Sequence, residues 1–273
     1  MNITKNMSTK TNFQKVLDFN TCFNHKVSNE PFLNVFTEEP KLVKLRLALI
    51  EEEIKELQEA YQNNDIVEIV DALSDILYVA YGLCVCFGID IDRKYTEYIR
   101  LYLEEDKSNS QTFEENNNLT NFQKTQLIIP LTNDVRKYSG LLESSFFKTN
   151  LNTINKYLMD NFKNLQNACE QNNFDDVIMN VYNVIKYTYL FGIHIGCDLD
   201  ASFTIVHDSN MTKICETEEL AKETVQNYKD NDDRYDSPSY KQNAFGYVIF
   251  NESTGKILKS MKYTPANFDS LLN

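Results

Sequence analysis

Two groups of carboxylates lie close together in the first third of the chain. They are Glu51, Glu52, Glu53 and Glu56, followed by Glu68, Asp71 and Asp75. Because residues three or four positions apart share one face of a helix, helical folding would gather each group on one side. Ligand sets made only of oxygen favour a hard cation such as Mg²⁺ or Mn²⁺ over zinc. The spacing therefore predicts a metal site shared by two neighbouring helices.

The segment with the first group has the pattern of an amphipathic helix that begins at Pro40. Its apolar line is formed by Leu42, Leu45 and Leu49. Glu52 and Glu56 continue that line, so we predict that these carboxylates face a helical bundle. Like charges crowded on a packed face are costly unless cations compensate them. A solvated acidic surface is the alternative for a single run of Glu, but two acidic groups on adjacent helices favour the metal site.

The residues that follow predict two more helices and then a break. The second helix is predicted from about Ile66 to Phe87, and Gly88 is suited to its C-terminus. A third helical stretch covers residues 95–103. Residues 104–118 form a charged, Asn-rich run that predicts an exposed linker, and the polar residues 1–10 predict a flexible N-terminus.

Composition also favours helices, because the chain of 273 residues has only 7 Gly and 5 Pro. The C-terminal part is the exception. Residues 216–227 have a helical pattern, but Tyr247–Phe250 and Lys256–Lys259 flank a Ser-Thr-Gly turn and predict a small β-hairpin.

The net charge of -13 argues against nucleic acid or an anionic membrane as a partner. No apolar run reaches the roughly 18 residues of a membrane span, and the N-terminus has no secretory signal. The six cysteines are Cys22, Cys84, Cys86, Cys169, Cys197 and Cys215. Several lie in apolar runs, so we expect reduced core residues in a cytoplasmic protein.

Short pieces of the first half recur in the second half in the same order. They are TNFQK at residues 11–15 and 120–124, Leu-Gln-x-Ala at 57–60 and 165–168, Phe-Gly-Ile at 87–89 and 191–193, and Asp92 with Asp200. Helical, Asn-rich sequence could produce such matches by coincidence, but their common order favours a diverged duplication. We therefore predict a first repeat at residues 11–103, a second at 119–215 and a C-terminal region at 216–273. The second repeat lacks a usable ligand set, since Asp160, Asn161 and Asn164 occupy the positions of Glu52, Glu53 and Glu56.

Residues 46–82, RLALIEEEIKELQEAYQNNDIVEIVDALSDILYVAYG, resemble the MazG-type family of all-α nucleotide pyrophosphohydrolases. The signature of that family is E-E-x-x-E on one helix and E-x-x-D on the next. Glu52-Glu53-x-x-Glu56 and Glu68-x-x-Asp71 match it. A later stretch, residues 206–213 (VHDSNMTK), resembles an H-x-S-N-M-x-K motif of the phosphoribosyl-ATP pyrophosphohydrolase-like branch, whose members also have a lysine-bearing tail.

The resemblance implies an all-α, MazG-like bundle, formed here by two fused repeats as a pseudo-dimer, and a role for each matched residue. Glu52, Glu56, Glu68 and Asp71 would hold Mg²⁺, for which Mn²⁺ can substitute, and Asp75 would be a further ligand or would support one. Glu53 would activate the attacking water. The residues implied in substrate binding are His207, Asn210, Lys213, Lys256 and Lys259.

The implied reaction is hydrolysis of a nucleoside triphosphate to the monophosphate and pyrophosphate, in the upkeep of the nucleotide pool. The chain departs from the family in its length, because members are about half as long and assemble as dimers or tetramers. We therefore expect a monomeric pseudo-dimer or a homodimer, with one composite site that takes its acids from the first repeat and Asn210 and Lys213 from the second. The alternatives are a phosphoribosyl-ATP pyrophosphohydrolase, a catalytically inactive nucleotide-binding protein and a helical interaction module.

Overall fold

The computed structural model describes residues 10–106, 119–128 and 145–272, and within these ranges the protein is helical apart from one small sheet. The predicted flexible N-terminus and most of the predicted linker lie outside the described residues. The helices are α1 (Asn12–Cys22), α2 (Val35–Glu38), α3 (Pro40–Asn63), α4 (Ile66–Phe87), α5 (Ile91–Asp106), α6 (Asn121–Leu127), α7 (Ser145–Glu170), α8 (Phe174–His194), α9 (Leu199–Met211), α10 (Glu218–Asn231) and α11 (Asp269–Leu272). Strands β1 (Pro238–Asn243) and β2 (Gly246–Asn251) lie between α10 and α11.

Local signals set the ends of the two helices that carry the acids. The Asp65 side chain accepts hydrogen bonds from the backbone N–H groups of Val67 and Glu68, at 3.1 and 3.2 Å, and so caps the start of α4. Gly88 ends α4 with a φ of 70°. A Cβ there would lie 1.8 Å from the carbonyl oxygen of Glu30, so only glycine fits. The predicted start of α3 at Pro40 and the predicted bounds of α4 are confirmed.

Helix α5 is longer than the predicted stretch of residues 95–103. Asp90 caps its start by accepting a hydrogen bond from the backbone N–H of Arg93 at 3.1 Å. At the other end the helix continues through residues 104–106, which the prediction assigned to the linker. Glu is a good helix former, so charge alone did not mark the end of the helix.

The prediction of a small C-terminal hairpin is confirmed, but the main strand partner of β2 is β1 and not the predicted segment 256–259. Strand β2 pairs antiparallel with β1, which precedes it, with Asn243 opposite Gly246. The Asn243 side chain accepts hydrogen bonds from the backbone N–H groups of Phe245 and Gly246, at 2.8 and 3.1 Å, which favours this tight turn. The later segment 256–259 pairs with β2 as an isolated antiparallel bridge between Phe250 and Ile257, through backbone hydrogen bonds from Asn251 to the Lys256 carbonyl and from Leu258 to the Ile249 carbonyl, each at 2.9 Å.

Helix α4 lies at the centre of the core. It packs against α1, α3, α8 and α9, and its buried residues include Leu73, Leu77 and Tyr81. By length and composition α4 could cross a membrane, contrary to the prediction that no run is long enough, but most of it is buried in protein here. The six cysteines are free and buried.

The two halves of the chain exchange matching hydrogen bonds across the core. The Asn12 side chain on α1 donates to the Tyr189 hydroxyl at 3.2 Å and to Asp200 at 2.8 Å, both in the second half. The counterparts are Asn121 to the Tyr81 hydroxyl at 3.0 Å and Asn121 to Asp92 at 2.7 Å. The hydroxyls of Tyr81 and Tyr189 meet at 3.0 Å between the two sets. These contacts support the proposed duplication, because the counterparts in sequence are also counterparts in space.

The helices also pack across the two halves of the chain. Helix α1 packs on α4 of its own half and on α9 of the other half, while α6 packs on α8 and on α5. Helix α9 in turn packs on α4, and α5 packs on α8. The last helix of each half therefore lies against the long central helix of the other half, which brings residues of α9 close to the acids of α4.

We predict that Asn121→Ala lowers the free energy of unfolding by about 1–3 kcal/mol, because it removes the amide that donates to both Asp92 and the buried Tyr81 hydroxyl. Urea denaturation followed by circular dichroism measures the change. Asn167→Ala, at an exposed position of α7, is the control and should change the stability by less than about 0.5 kcal/mol. Equal stability of the wild type and Asn121→Ala would contradict a structural role for the exchanged hydrogen bonds.

Candidate active site

The acids of α3 differ in how far they face inward. The fully buried line of this helix includes Val43, Arg46 and Ile50, whereas Leu42, Leu45 and Leu49 are only half-buried. Glu52 and Glu56 continue the half-buried line and are exposed, so the prediction that both face the bundle was wrong. Glu53 follows Ile50 by three positions, shares its face and is half-buried. Glu53 is therefore the carboxylate of α3 that points most directly into the protein.

The surroundings of Glu53 strongly favour its protonated form. Burial, followed by the charges of Asp75 and Glu56, raises the pKa of Glu53 to about 9. The charge of Lys256 acts in the opposite direction without cancelling these effects. The dominance of burial means that additional positive charge close to this carboxylate would be needed to keep it ionised at neutral pH.

The acids of α4 face those of α3 across the helix pair. Burial and then the charge of Glu68 raise the pKa of Asp71 to about 6. Burial and then the charge of Asp71 raise the pKa of Asp75 to about 7. Burial also raises the pKa of Glu56, with further contributions from Glu52 and Glu68. The two helices thus bring six carboxylates into one electrostatically coupled group: Glu52, Glu53, Glu56, Glu68, Asp71 and Asp75.

Three lysines from the C-terminal third of the chain lie beside this acid group. The Lys256 ammonium donates to both carboxylate oxygens of Glu52, each at 2.8 Å. Lys213 follows α9, and the charges of Asp75 and Glu53 partly oppose the lowering of its pKa by burial. Lys259 is close enough to lower the pKa of Asp71 and Asp75. Residues separated by about 200 positions in sequence therefore meet at one site.

His207 and Asn210 reach the site through Tyr78. The Tyr78 hydroxyl and the His207 Nδ1 atom lie 3.1 Å apart, and the Asn210 side chain also hydrogen-bonds Tyr78. Tyr78 is one turn of α4 beyond Asp75 and stacks on Phe203, with 5.3 Å between ring centroids. Of the five residues implied in substrate binding, the three lysines thus lie beside the acids, and His207 and Asn210 lie one turn further along α4 at Tyr78.

The donor atoms fit a hard divalent cation, because they are carboxylate oxygens whose mutual repulsion a cation would relieve. Their arrangement is open, however. Among residues 10–106, 119–128 and 145–272, no three His, Cys, Asp or Glu side chains are arranged to hold a metal ion. Glu52 is instead engaged by Lys256. Metal binding would therefore require side-chain rearrangement.

A second polar cluster beside the site was missed by the sequence analysis. Arg46 is buried, and its Nη2 atom lies 2.7 Å from the Nδ1 atom of His25. Gly82 leaves room for this guanidinium, since a Cβ there would lie 2.9 Å from Nη1. Burial and then the charge of Arg46 hold the pKa of His25 well below its usual range. Two features of the sequence could have revealed this cluster: Arg46 lies on the apolar side of α3, and Gly82 lies within the apolar helix α4.

The corresponding surface of the second half keeps acids only at Asp160 and Asp176, which match Glu52 and Glu68. In α7 the matching positions are Asp160, Asn161 and Asn164. In α8, Met179 and Asn183 occupy the positions that match Asp71 and Asp75, and Met179 is exposed. The acid group is therefore present on one side of the pseudo-symmetric bundle.

The raised carboxylate pKa values predict how stability depends on pH when divalent cations are removed. The folded protein binds these protons more tightly than the unfolded chain, so the free energy of unfolding should fall as the pH rises from about 5 to about 9. Glu53→Gln should flatten the upper part of this fall, because Gln stays neutral. Urea denaturation in EDTA across this range measures it.

The control is Glu51→Gln on the same helix, since Glu51 is paired with Lys55 at 2.9 Å on the exposed surface. Its pH dependence should match that of the wild type. Identical pH slopes for the wild type and Glu53→Gln would show that Glu53 is not protonated preferentially in the folded state.

Comparison with known proteins identifies the family of this site. A family model described as phosphoribosyl-ATP pyrophosphohydrolase matches residues 16–100, the part of the chain that carries the acids. An uncharacterized protein of Acanthamoeba polyphaga mimivirus is 34% identical over 281 residues, which cover 98% of each chain. No solved structure matches the chain. Residues 16–100 therefore form a phosphoribosyl-ATP pyrophosphohydrolase domain, consistent with the MazG-like superfamily of pyrophosphohydrolases, and the whole chain is related to the mimivirus protein.

Proposed function

We propose that the protein is a Mg²⁺-dependent nucleoside triphosphate pyrophosphohydrolase that converts a (d)NTP and water to the (d)NMP and pyrophosphate. The observation that carries this proposal is the meeting of six carboxylates of α3 and α4 with Lys213, Lys256 and Lys259. Carboxylates suit a divalent cation, and lysines suit the phosphates that such a cation would bridge. A surface module for protein interaction would not need buried acids of raised pKa beside a set of lysines.

Glu52, Glu56, Glu68 and Asp71 are the proposed metal ligands, supported by Asp75. When bound, Mg²⁺ would neutralise charge on the phosphates and lower the pKa of a coordinated water. Glu53 is the proposed general base, because it is the most inward-facing acid of α3 and its neighbours already favour a proton on it. Its carboxylate would take the proton of the water that attacks the α-phosphate.

The second half of the chain would hold the substrate. Lys213 is positioned to contact a phosphate, because it lies within electrostatic reach of both Glu53 and Asp75. Asn210 and His207 meet at Tyr78, one turn from Asp75, and would contact the sugar or base end. We therefore propose one composite site per chain, with metal held by the first half and nucleotide contacted by the second.

Two other functions share these features. Phosphoribosyl-ATP is a possible substrate because of the matching family description, and an inactive nucleotide-binding protein would keep the same groups. A screen of pyrophosphate release across canonical and modified dNTPs, NTPs and phosphoribosyl-ATP separates them. Turnover that requires Mg²⁺ and is lost in EDTA supports the proposal. Binding of nucleotide without turnover of any of these would reject it.

We predict that Glu53→Gln lowers kcat by at least about 10²-fold, as expected for loss of a general base, and leaves the helical circular dichroism spectrum unchanged. Glu51→Gln is the matched control, and its activity should stay close to that of the wild type. Activity of Glu53→Gln within tenfold of the wild type would reject the assignment of Glu53 as the base.

We predict that Lys213→Met raises KM for the preferred nucleotide by about tenfold or more, because it removes a charge-assisted contact with a phosphate. Lys229→Met, at an exposed position of α10, is the control. Unchanged kcat and KM in Lys213→Met would show that the second half does not contribute to the site through this residue.

A further inference from the structure

Lys256 binds Glu52 with the geometry of a specific contact. Its ammonium donates to both oxygens of the carboxylate at 2.8 Å, although both side chains are accessible to water. Burial alone would lower the pKa of Lys256, but the hydrogen bonds and charge of Glu52 raise it above its usual value. Glu52 is the first acid of the family signature, so a lysine here engages the oxygens that a metal ion would need.

The backbone that carries Lys256 is held firmly. The Lys256 carbonyl accepts a hydrogen bond from the backbone N–H of Asn251 at 2.9 Å, and the Gly255 N–H donates to the Asn251 carbonyl at 2.7 Å. Gly255 takes a φ of 75°, which turns the chain directly before the lysine. This segment packs on a small apolar cluster of its own, formed by Cys215, Ala221, Val225, Ile249 and Leu258. Lys256 therefore projects from an ordered element.

The other two lysines are placed differently. The Lys213 and Lys259 ammonium groups lie 5.8 and 4.7 Å from the ring centroid of Tyr263. Both influence the acids of α4 by charge, and Lys256 is the one that takes both oxygens of Glu52. Lys256 thus contacts one proposed metal ligand, Glu52, directly, whereas Lys213 and Lys259 affect the acids through their positive charge.

We propose that Lys256 is an exchangeable counter-ion that competes with the metal for Glu52 and, once displaced, binds a phosphate of the substrate. The inference rests on the proposed metal-dependent function. A carboxylate whose two oxygens bind an ammonium cannot at the same time bind a divalent cation without crowding two positive charges. Replacement of Lys256 by the metal avoids this crowding, because Glu52 then binds one cation both before and after the metal arrives. The released Lys256 ammonium binds a phosphate of the triphosphate instead. The metal must then bind before Lys256 becomes free for the nucleotide.

Binding of Mn²⁺ to the full-length protein without nucleotide, measured by calorimetry and electron paramagnetic resonance, tests the competition. Lys256→Met should bind Mn²⁺ about tenfold more tightly than the wild type, because loss of a charge-assisted hydrogen bond frees Glu52. Lys256→Arg keeps the charge and two donors and should stay close to the wild type. Circular dichroism and thermal unfolding establish that each variant is folded.

The matched control is Lys259→Met, which removes the same charge nearby but no contact with Glu52. It should tighten Mn²⁺ binding much less than Lys256→Met does. Equal tightening in both variants would mean that general charge, and not the contact with Glu52, sets the metal affinity. Unchanged or weaker Mn²⁺ binding in Lys256→Met would also overturn the competition.

The proposed transfer of Lys256 to phosphate predicts that Lys256→Met weakens nucleotide binding, although it tightens Mn²⁺ binding. With saturating Mn²⁺, Lys256→Met should bind a non-hydrolysable α,β-methylene dNTP about tenfold more weakly than the wild type does. Unchanged affinity for this analogue would overturn the transfer of Lys256 to phosphate. If the wild type binds Mn²⁺ but hydrolyses no nucleotide, the proposed function fails, and the metal titrations still decide the competition at Glu52.

Discussion

Crowding of like charge between α3 and α4 is the constraint on which the rest of this structure depends. Burial is the largest influence on the pKa values of Glu53, Asp71 and Asp75, and the charge of Asp71 raises the pKa of Asp75 while that of Asp75 raises the pKa of Glu53. Such a group is tolerated only when it binds protons or lies beside cations. The chain supplies those cations from Lys213 and Lys256, far away in sequence. The position of the C-terminal third is thus tied to the acids of the first.

The exchanged packing of the two halves explains how distant residues reach the site. Each half ends in a helix that lies against the central helix of the other half, so α9 and the segment after it cover α4. The paired contacts of Asn12 and Asn121 hold this arrangement in register, because each amide bonds a buried tyrosine and a carboxylate of the opposite half. A shift of one half against the other would leave those polar groups unpaired in the core.

The sequence predicted the features that local interactions determine. The span of α4 from Ile66 to Phe87, with Gly88 at its end, was predicted, whereas the acid that faces inward from α3 is Glu53 and not the predicted pair Glu52 and Glu56. The sequence could not show whether α9 packs on α4 or on α8, because an apolar face of helical period fits either of these central helices equally well. The strand partner of β2 was missed for a related reason, since the choice depends on the turn at Asn243 and Gly246, whereas the Ser-Thr-Gly turn gave a stronger pattern.

The same electrostatic constraint accounts for how the two sides of the bundle differ. On the first side, loss of the acids alone would leave Lys213 half-buried without a compensating charge, and loss of the lysines alone would leave the acids uncompensated. The second side lacks both partners together. Asn161 and Met179 occupy positions that match Glu53 and Asp71, and Glu105 occupies the position that matches Lys213. Charges that depend on one another for their stability are expected to be lost as a set, which leaves a single charged site in a bundle built from two similar halves.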